Sequence, residues 1–149
     1  MATTHGTDGG APGTYVLEDQ PGFLLRLAHQ RASAVFQEVL EGRNLTPTQF
    51  AALVKLGDTG GASQNHLGRL TGMDRATIQG VIRRLTDRGL IDNAADPNDR
   101  RRRHLMLSTA GRDLVENLLC EGQTVSKRIL DPLKPFERKQ LIRLLRRLS

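Results

Sequence analysis

The sequence predicts a mainly α-helical fold that carries one short β-hairpin. From Pro21 onward, apolar residues recur at steps of three and four in several segments, which is the spacing of amphipathic helices. One segment departs from this spacing, because two short apolar runs flank a stretch of turn-forming and acidic residues, as in a hairpin. Aromatic residues make up only 3% of the 149 residues, which is low for a β-sandwich and ordinary for a helical protein.

Two helices are predicted N-terminal to residue 60. The first runs from Pro21 to about Glu41, with Gly42 as its C-terminal stop. The second follows Thr46, which opens a capping-box pattern and can cap the helix N-terminus. Its apolar spacing predicts an end at Gly57.

A helix-turn-helix pattern comes next. Ser63 can cap a short helix, and a tight turn at 71–73 leads to Asp74, which can cap a second helix. That helix ends near Arg88, with Gly89 behind it. Two short helices joined by a glycine-containing turn form a helix-turn-helix. The apolar stripe that would hold the second helix to the core is Ile78, Val81, Ile82 and Leu85.

A β-hairpin directly after this second helix predicts a winged helix-turn-helix. Its strands read "GLIDNA" and "RHLMLS", and "ADPNDRR" between them is rich in turn formers. Alternation places Leu105 and Leu107 on one face of the second strand. Ser108 can then cap a long helix that reaches about Leu130, and residues 136–148 form a last amphipathic helix.

The charge balance favours an anionic partner such as nucleic acid. The formal net charge is +6, and 18 of the 22 basic residues are arginine, whose planar fork suits phosphate and base edges. Four of these arginines, 100–103, are consecutive at the tip of the predicted hairpin. No apolar run approaches the roughly 18 residues that span a membrane, and no signal peptide is evident. Residues 1–14 are rich in glycine and threonine, and we expect them to be disordered.

The cysteine and histidine content disfavours redox and metal chemistry. A single cysteine, Cys120, excludes an internal disulfide and is consistent with a reducing compartment, so we expect a cytoplasmic protein. We interpret Cys120 as buried packing, because Leu118, Leu119 and Val125 surround it in sequence. The four histidines are too dispersed for a metal site, and no cofactor is expected. The sequence shows no nucleophile elbow, no phosphate loop and no paired carboxylates in an apolar setting, so we do not expect an enzyme.

Two segments around the hairpin resemble a known family. They read "DRATIQGVIRRLTDRGLI" from Asp74 to Ile91 and "DPNDRRRRHLMLSTAG" from Asp96 to Gly111. With "LTPTQFAAL", they are similar to the MarR family of bacterial transcription regulators. The family's wing reads roughly Asp-x-x-Asp-Arg-Arg, an apolar strand, then Leu-Thr-x-x-Gly, and here Ser108 replaces the usual Thr.

The resemblance covers about Pro21 to the C-terminus and implies an interleaved helical homodimer that presents two winged helices to double-stranded DNA. On this view residues 15–149 form a single domain. Residues 45–108 would be its DNA-binding part, and residues 15–44 and 109–149 its dimerisation part. A sequence-neutral architectural DNA-binding protein with the same fold is the alternative.

The candidate DNA contacts fall on three elements. The helix after Asp74 can reach base edges in the major groove, and the N-terminus of the preceding helix suits a backbone phosphate. The family's minor-groove arginine aligns best with Arg101, and Asp99 would hold that guanidinium, or the wing itself, in place. The DNA-binding candidates are Ser63, Gln64, Arg75, Thr77, Gln79, Arg83, Arg84, Asp99, Arg100, Arg101 and Arg102.

The resemblance also implies a small-molecule effector site between the first, second and fifth helices. The segment 15–36, "YVLEDQPGFLLRLAHQRASAVF", looks similar to members that sense aromatic acids or their coenzyme A thioesters. His29 and Ser33 are polar residues on an otherwise apolar helix, and could meet a carboxylate; His29 could equally be a core or interface histidine. We expect a repressor, because a dimer without an activation domain most simply blocks polymerase. The effector-binding candidates are Leu25, His29, Ser33, Phe36, Phe50 and Arg112.

Overall fold

The computed structural model describes residues 13–149, and residues 1–12 of the expected N-terminal tail lie outside the described residues. A short 3₁₀ turn at Leu17–Asp19 precedes six α-helices and one two-stranded antiparallel hairpin in this range. The order is α1 Pro21–Val39, α2 Pro47–Thr59, α3 Gln64–Thr71, α4 Arg75–Asp87, β1 Ile91–Ala95, β2 Arg103–Leu107, α5 Thr109–Leu130 and α6 Pro135–Leu148. This is the winged helix-turn-helix order that the sequence predicts.

The predicted N-terminal caps are confirmed. The Thr46 hydroxyl accepts a hydrogen bond from the Gln49 amide at 3.2 Å, and the Gln49 side chain accepts one from the Thr46 amide at 3.1 Å. Side-chain caps of this kind satisfy amide groups that a helix cannot pair internally. The other three predicted caps on α3, α4 and α5 are Ser63, Asp74 and Ser108.

Two predicted helix ends are wrong. The second helix continues past Gly57 to Thr59, and Gly60 in the left-handed region (φ 70°) ends it. Gly57 lies inside the helix, where α2 packs on α5: a Cβ there would lie 3.4 Å from Val115. Tertiary packing therefore outweighs the low helix propensity of glycine at this position. The first helix ends at Val39 rather than near Glu41.

The hairpin is attached to the helical body by a third, one-residue strand. Ala62 and Leu105 exchange both backbone hydrogen bonds, at 3.0 and 2.8 Å. Within the hairpin, Ile91 pairs with Leu107 and Ala95 with Arg103. Leu105 and Leu107 are buried as predicted, so one face of β2 packs on the helices and fixes the direction of the wing.

The core lies among the C-terminal part of α1, α2, α3, α4, α5 and the base of the hairpin. Its members are apolar side chains at the helical and strand spacings that the sequence shows, including the predicted α4 stripe. The largest fully buried side chains, with exposures of 2% or less, are Leu53, Leu56, Leu67, Ile78, Leu85, Ile91, Leu118 and Val81. This core holds the two helices of the helix-turn-helix and the wing as one unit.

Within residues 13–149, α6 and the N-terminal part of α1 leave an apolar surface uncovered. None of the residues of α6 is buried, although Phe136 and Leu148 are large and apolar, with exposures of 71% and 74%. Leu25 on α1 is 45% exposed and shares a groove with Ile142, Leu145 and other α6 residues. The interpretation of Cys120 as buried packing is wrong for the chain by itself. The residue is exposed on α5, because the packed face of that helix is carried by Val115, Leu118 and Val125.

Candidate nucleic-acid interface

The N-terminal half of α4 presents polar side chains to solvent. Asp74 caps it, accepting a hydrogen bond of 2.7 Å from the Thr77 amide, and this bond lowers the pKa of the Asp74 carboxyl. Arg75, Thr77 and Gln79 are exposed, whereas Ile78 is buried. The helix therefore stands with its predicted base-reading residues outward and its apolar stripe on the core, which is the orientation that a major-groove helix needs.

A shallow concavity lies on the exposed face of α4. Ala76, Gln79, Gly80 and Arg83 line it, so two of the predicted DNA contacts meet there. Gly80 forms part of the floor: a Cβ at this position would have only the Arg84 guanidinium near it, at 4.0 Å. Gln79 and Arg83 are one turn apart and form one side of the concavity.

The N-terminus of α3 and the wing form a single basic surface. Ser63, Gln64 and Arg102 line one open cleft, although about forty residues of sequence separate the wing from the cap of α3. Asn65, Arg69 and Arg103 complete that cleft. The sequence indicated Arg103 as a phosphate contact or solvated charge, but it indicated neither Asn65 nor Arg69. Asn65 and Arg69 share a helix face at a spacing of four residues, and this spacing could have identified them.

At the wing tip, Asp99 organises the backbone rather than the guanidinium of Arg101. Its carboxylate accepts a hydrogen bond of 3.0 Å from the Arg101 amide and lies 3.6 Å from Nε of Arg102. Of the two alternatives left open by the sequence, the structure therefore supports Asp99 as a support of the wing itself. Arg100 lines a second cleft with Arg102 and Arg103, beside β1. Arg101 is exposed.

Two of the effector-binding candidates form an aromatic pair between α1 and α2. Phe36 is buried and Phe50 half-buried, and their rings meet edge to face with centroids 5.6 Å apart. Gly122 of α5 abuts this pair, since a Cβ there would lie 2.7 Å from Cζ of Phe50. We call Phe36, Phe50 and Gly122 the aromatic cluster. It brings together the three helices that the resemblance associates with an effector.

The other effector candidates do not join this cluster within the chain. The guanidinium of Arg112 donates hydrogen bonds to the Leu107 carbonyl at 3.0 Å and to the Thr109 hydroxyl at 3.3 Å. Arg112 precedes Gly122 by ten residues, or about 15 Å along a helix. On α1, Ser33 is half-buried one turn from Phe36, whereas Leu25 and His29 are exposed nearer the N-terminus. The expectation of a single pocket lined by all six is therefore not met in one protomer.

The comparisons with known proteins assign this chain to a family. The model described as the MarR family matches residues 43–102. The chain is 36% identical over 134 residues to the HTH-type transcriptional repressor NicR of Pseudomonas putida. The aligned region covers 90% of this chain and 85% of NicR. This chain belongs to the MarR family. The MarR resemblance of the wing and recognition helix is confirmed, and the chain is a transcription regulator of that family.

Two solved structures share the MarR fold over at least 90% of this chain. A probable transcriptional regulator from Pseudomonas aeruginosa is 51% identical, with a TM-score of 0.86, and covers 90% of this chain and 100% of its own. BpsR of Bordetella bronchiseptica, whose DNA binding is regulated by 6-hydroxynicotinic acid, is 38% identical, with a TM-score of 0.87 and coverages of 92% and 98%. Across residues 13–149, no helix combines the length and apolarity needed to cross a membrane.

Proposed function

We propose that this MarR-family protein is a cytoplasmic repressor that binds an inverted-repeat operator as a homodimer and leaves it when a small aromatic acid binds. The observation that carries the proposal is that α4 exposes polar and basic side chains while the α3 N-terminus and the wing line one polar cleft that contains arginines. In this arrangement α4 reads base edges, the α3 N-terminus holds a phosphate, and Arg101 enters the minor groove. This assignment would give base readout to α4 and backbone contacts to the α3 N-terminus.

The positions of the arginines support DNA as the anionic partner. Arg83 and Arg102 belong to different elements, yet both face outward on the same winged-helix unit, beside Gln79 and Gln64 respectively. Arginine beside amide side chains suits double-stranded DNA, because the charge binds phosphate and the amides bind adenine edges. Three of the four arginines of the wing also line clefts with polar neighbours rather than standing alone.

The uncovered apolar surface supports the homodimer. Leu144, Leu145 and Leu148 on α6 are 40–74% exposed, and Leu145 and Leu148 line a groove with Leu25 of α1. Contiguous apolar surfaces of this kind mark protein interfaces. A second copy of the chain would cover them, and its two α4 helices could then read half-sites about one DNA turn, or roughly 34 Å, apart.

The relatives support an aromatic acid as the effector. BpsR responds to 6-hydroxynicotinic acid, a pyridine carrying a carboxylate, and is similar to this chain over nearly its whole length. The aromatic cluster offers ring contacts, and Ser33 and His29 on the same helix could meet a carboxylate. The coenzyme A thioester of such an acid is the second candidate, because 18 arginines could accommodate its phosphates.

The decisive experiment is a selection of bound duplexes from a random pool, followed by binding measurements with and without candidate acids. A specific repressor enriches an inverted repeat and binds it about 10³-fold or more tightly than a scrambled duplex. Adding 6-hydroxynicotinic acid, benzoates or their thioesters then releases the selected duplex. Thermal shifts of the free protein with the same compounds report binding directly.

An architectural DNA-binding protein would give the opposite result. It would enrich no repeat, bind selected and scrambled duplexes alike, and respond to none of the acids. Gln79→Ala adds a sharper test, because loss of base readout changes the preferred sequence more than the general affinity. An equal loss of affinity for every duplex would show that Gln79 contacts only the backbone.

A further inference from the structure

A bidentate ion pair fastens the loop between α1 and α2 to α5. Nε of Arg43 donates to the two carboxylate oxygens of Glu121 at 3.0 and 3.2 Å, and Nη2 donates to one of them as well. The Glu121 carboxylate raises the pKa of the Arg43 guanidinium. Both side chains are partly shielded, with exposures of 37% and 24%. Bidentate pairs of this kind fix orientation as well as distance.

The same loop is held from its other side by the recognition helix. Arg88, the residue that ends α4, donates from its two terminal nitrogens to the carbonyls of Asn44 at 2.6 Å and Arg43 at 3.0 Å. The backbone of Arg43 is thus bound to α4, while its side chain is bound to α5. We call Arg43, Arg88 and Glu121 the loop clasp.

The loop itself has a backbone that its surroundings must maintain. Gly42 and Asn44 both have positive φ, at 81° and 54°. A left-handed conformation is uncommon for residues other than glycine, and it persists where the surrounding structure holds it. In this loop Asn44 is held through its carbonyl by Arg88, so release of the clasp would let the loop change its conformation.

The clasp begins beside the aromatic cluster. Glu121 immediately precedes Gly122, whose Cα faces Phe50 so closely that a Cβ would lie 2.7 Å from the ring. Any ligand that moves the Phe50 ring therefore presses on α5 beside Glu121. Glu121, Arg43 and Arg88 then form a continuous series of contacts from that point to the C-terminal end of α4.

We propose that the loop clasp couples occupancy of the aromatic cluster to the position of the recognition helix. This inference rests on the proposed function, because it requires both an effector and DNA. Arg43, Glu121 and Arg88 are positioning residues: they touch neither ligand, and they transmit displacement of α5 to α4. Coupling between two sites requires an element that both can move, and the 42–46 loop is that element.

The first test compares operator affinity with and without 6-hydroxynicotinic acid in the full-length wild type and in Glu121→Gln. An allosteric ligand typically changes the affinity of the other site by roughly 5- to 150-fold. We expect the fold-change in operator affinity caused by the acid to be at least about threefold smaller in the variant than in the wild type. The affinity of the free protein for the acid, and its affinity for DNA without the acid, should each stay within about twofold of the wild-type value. A wild-type response in Glu121→Gln would overturn the proposal.

The control and the rescue separate coupling from a general loss of stability. Glu38→Gln breaks another ion pair between α1 and α5, with Arg128, that touches neither the loop nor α4. Its response to the acid should equal that of the wild type. The exchanged pair Arg43→Glu with Glu121→Arg should recover the response to the acid that either single substitution loses. Failure of the exchanged pair to recover it, together with a lost response in Glu38→Gln, would contradict a specific clasp.

Hydrogen–deuterium exchange tests the mechanical link without DNA or effector. In Glu121→Gln, exchange should become faster in residues 42–46 and in the last turn of α4, although Glu121 touches neither α4 nor its caps. In Glu38→Gln, those amides should exchange at the wild-type rate. Unchanged exchange in α4 of Glu121→Gln would overturn the proposed coupling but not the proposed function. A wild-type protein that selects no duplex, or whose DNA binding does not respond to the acid, would overturn the proposed function.

Discussion

At the scale of single residues, two glycines with opposite surroundings control local stability. A Cβ at Gly111 would collide with the carbonyl oxygen of Leu90, so the first turn of α5 can approach the start of β1 only without a side chain. At Gly80 a Cβ would find open space. The glycine of the wing signature is therefore a packing requirement, whereas Gly80 has no such requirement within the chain.

Gly111→Ala should destabilise the protein by about 1–3 kcal/mol, because backbone atoms must move to accept the methyl group. Gly80→Ala is the matched variant and should stabilise α4 by roughly 0.5–1 kcal/mol through its higher helix propensity. Urea unfolding at one protein concentration would measure both. A Gly111→Ala variant as stable as the wild type would disprove the proposed collision.

The cap of α4 should make stability depend on pH. The Thr77 amide lowers the pKa of Asp74 below its usual value of 3.8, so the carboxylate stabilises the folded state above that pH. This contribution is lost as the pH falls through the lowered pKa. The melting temperature of the wild type should exceed that of Asp74→Asn near neutral pH, and the gap should close in acid. A gap that is independent of pH would indicate that the charge is irrelevant.

At the scale of elements, the wing combines two kinds of arginine. Arg102 is paired with Asp99 and faces the α3 N-terminus, whereas the backbone of Arg101 is held by Asp99 and its side chain is exposed. A paired arginine beside a helix N-terminus suits phosphate. An exposed one on an organised tip suits insertion into the minor groove, where the negative potential is concentrated.

Arg101→Ala and Arg102→Ala should therefore weaken operator binding in different ways. Loss of Arg101 should reduce the binding free energy for the operator by about 1–3 kcal/mol. The size of this loss should depend on the base sequence of the minor groove that faces the wing. Loss of Arg102 should weaken all duplexes similarly and reduce the salt slope by about one per lost phosphate contact. Salt titrations against the selected operator and an altered-flank duplex would separate the two. Normal operator binding by Arg101→Ala would refute the minor-groove role.

At the scale of the whole molecule, we infer that the exposed apolar face of α6 forms part of the dimer interface. Leu145→Glu would place a charge among Leu25, Ile142 and Leu148, which we infer to be buried by a second copy. Sedimentation should show monomers and a loss of operator binding. Lys139→Glu, on the polar side of α6, should remain dimeric. A dimeric Leu145→Glu protein would place the interface elsewhere.

Salt dependence is the second prediction for the whole molecule. A dimer that neutralises several phosphates releases their counterions, so operator affinity should fall by roughly 10³-fold or more between about 50 and 200 mM salt. Fluorescence anisotropy over this range measures the slope. A flat response would contradict electrostatic contact by the arginines of α4 and the wing.

Much of the fold was accessible from local patterns. Caps at Thr46, Ser63, Asp74 and Ser108 require only neighbouring residues, and apolar spacing identifies the buried stripe of α4, so both were predicted correctly. The end of α2 was not, because the glycine inside it is tolerated through its contact with Val115 of α5. Exposure of Cys120 also depends on which face of α5 meets the core.

By itself, the sequence determined the order of elements, which follows from periodicity and capping between residues near one another in the chain. It also determined the family, through the resemblance of the recognition helix and the wing, and it proposed the residues that would face DNA. Only the tertiary structure decided which distant residues meet. It joined Arg102 to the α3 N-terminus, separated Arg112 from the aromatic cluster, and linked Arg43 to Glu121 and Arg88. Such pairings depend on how packed helices are positioned, and local spacing carries no information about that.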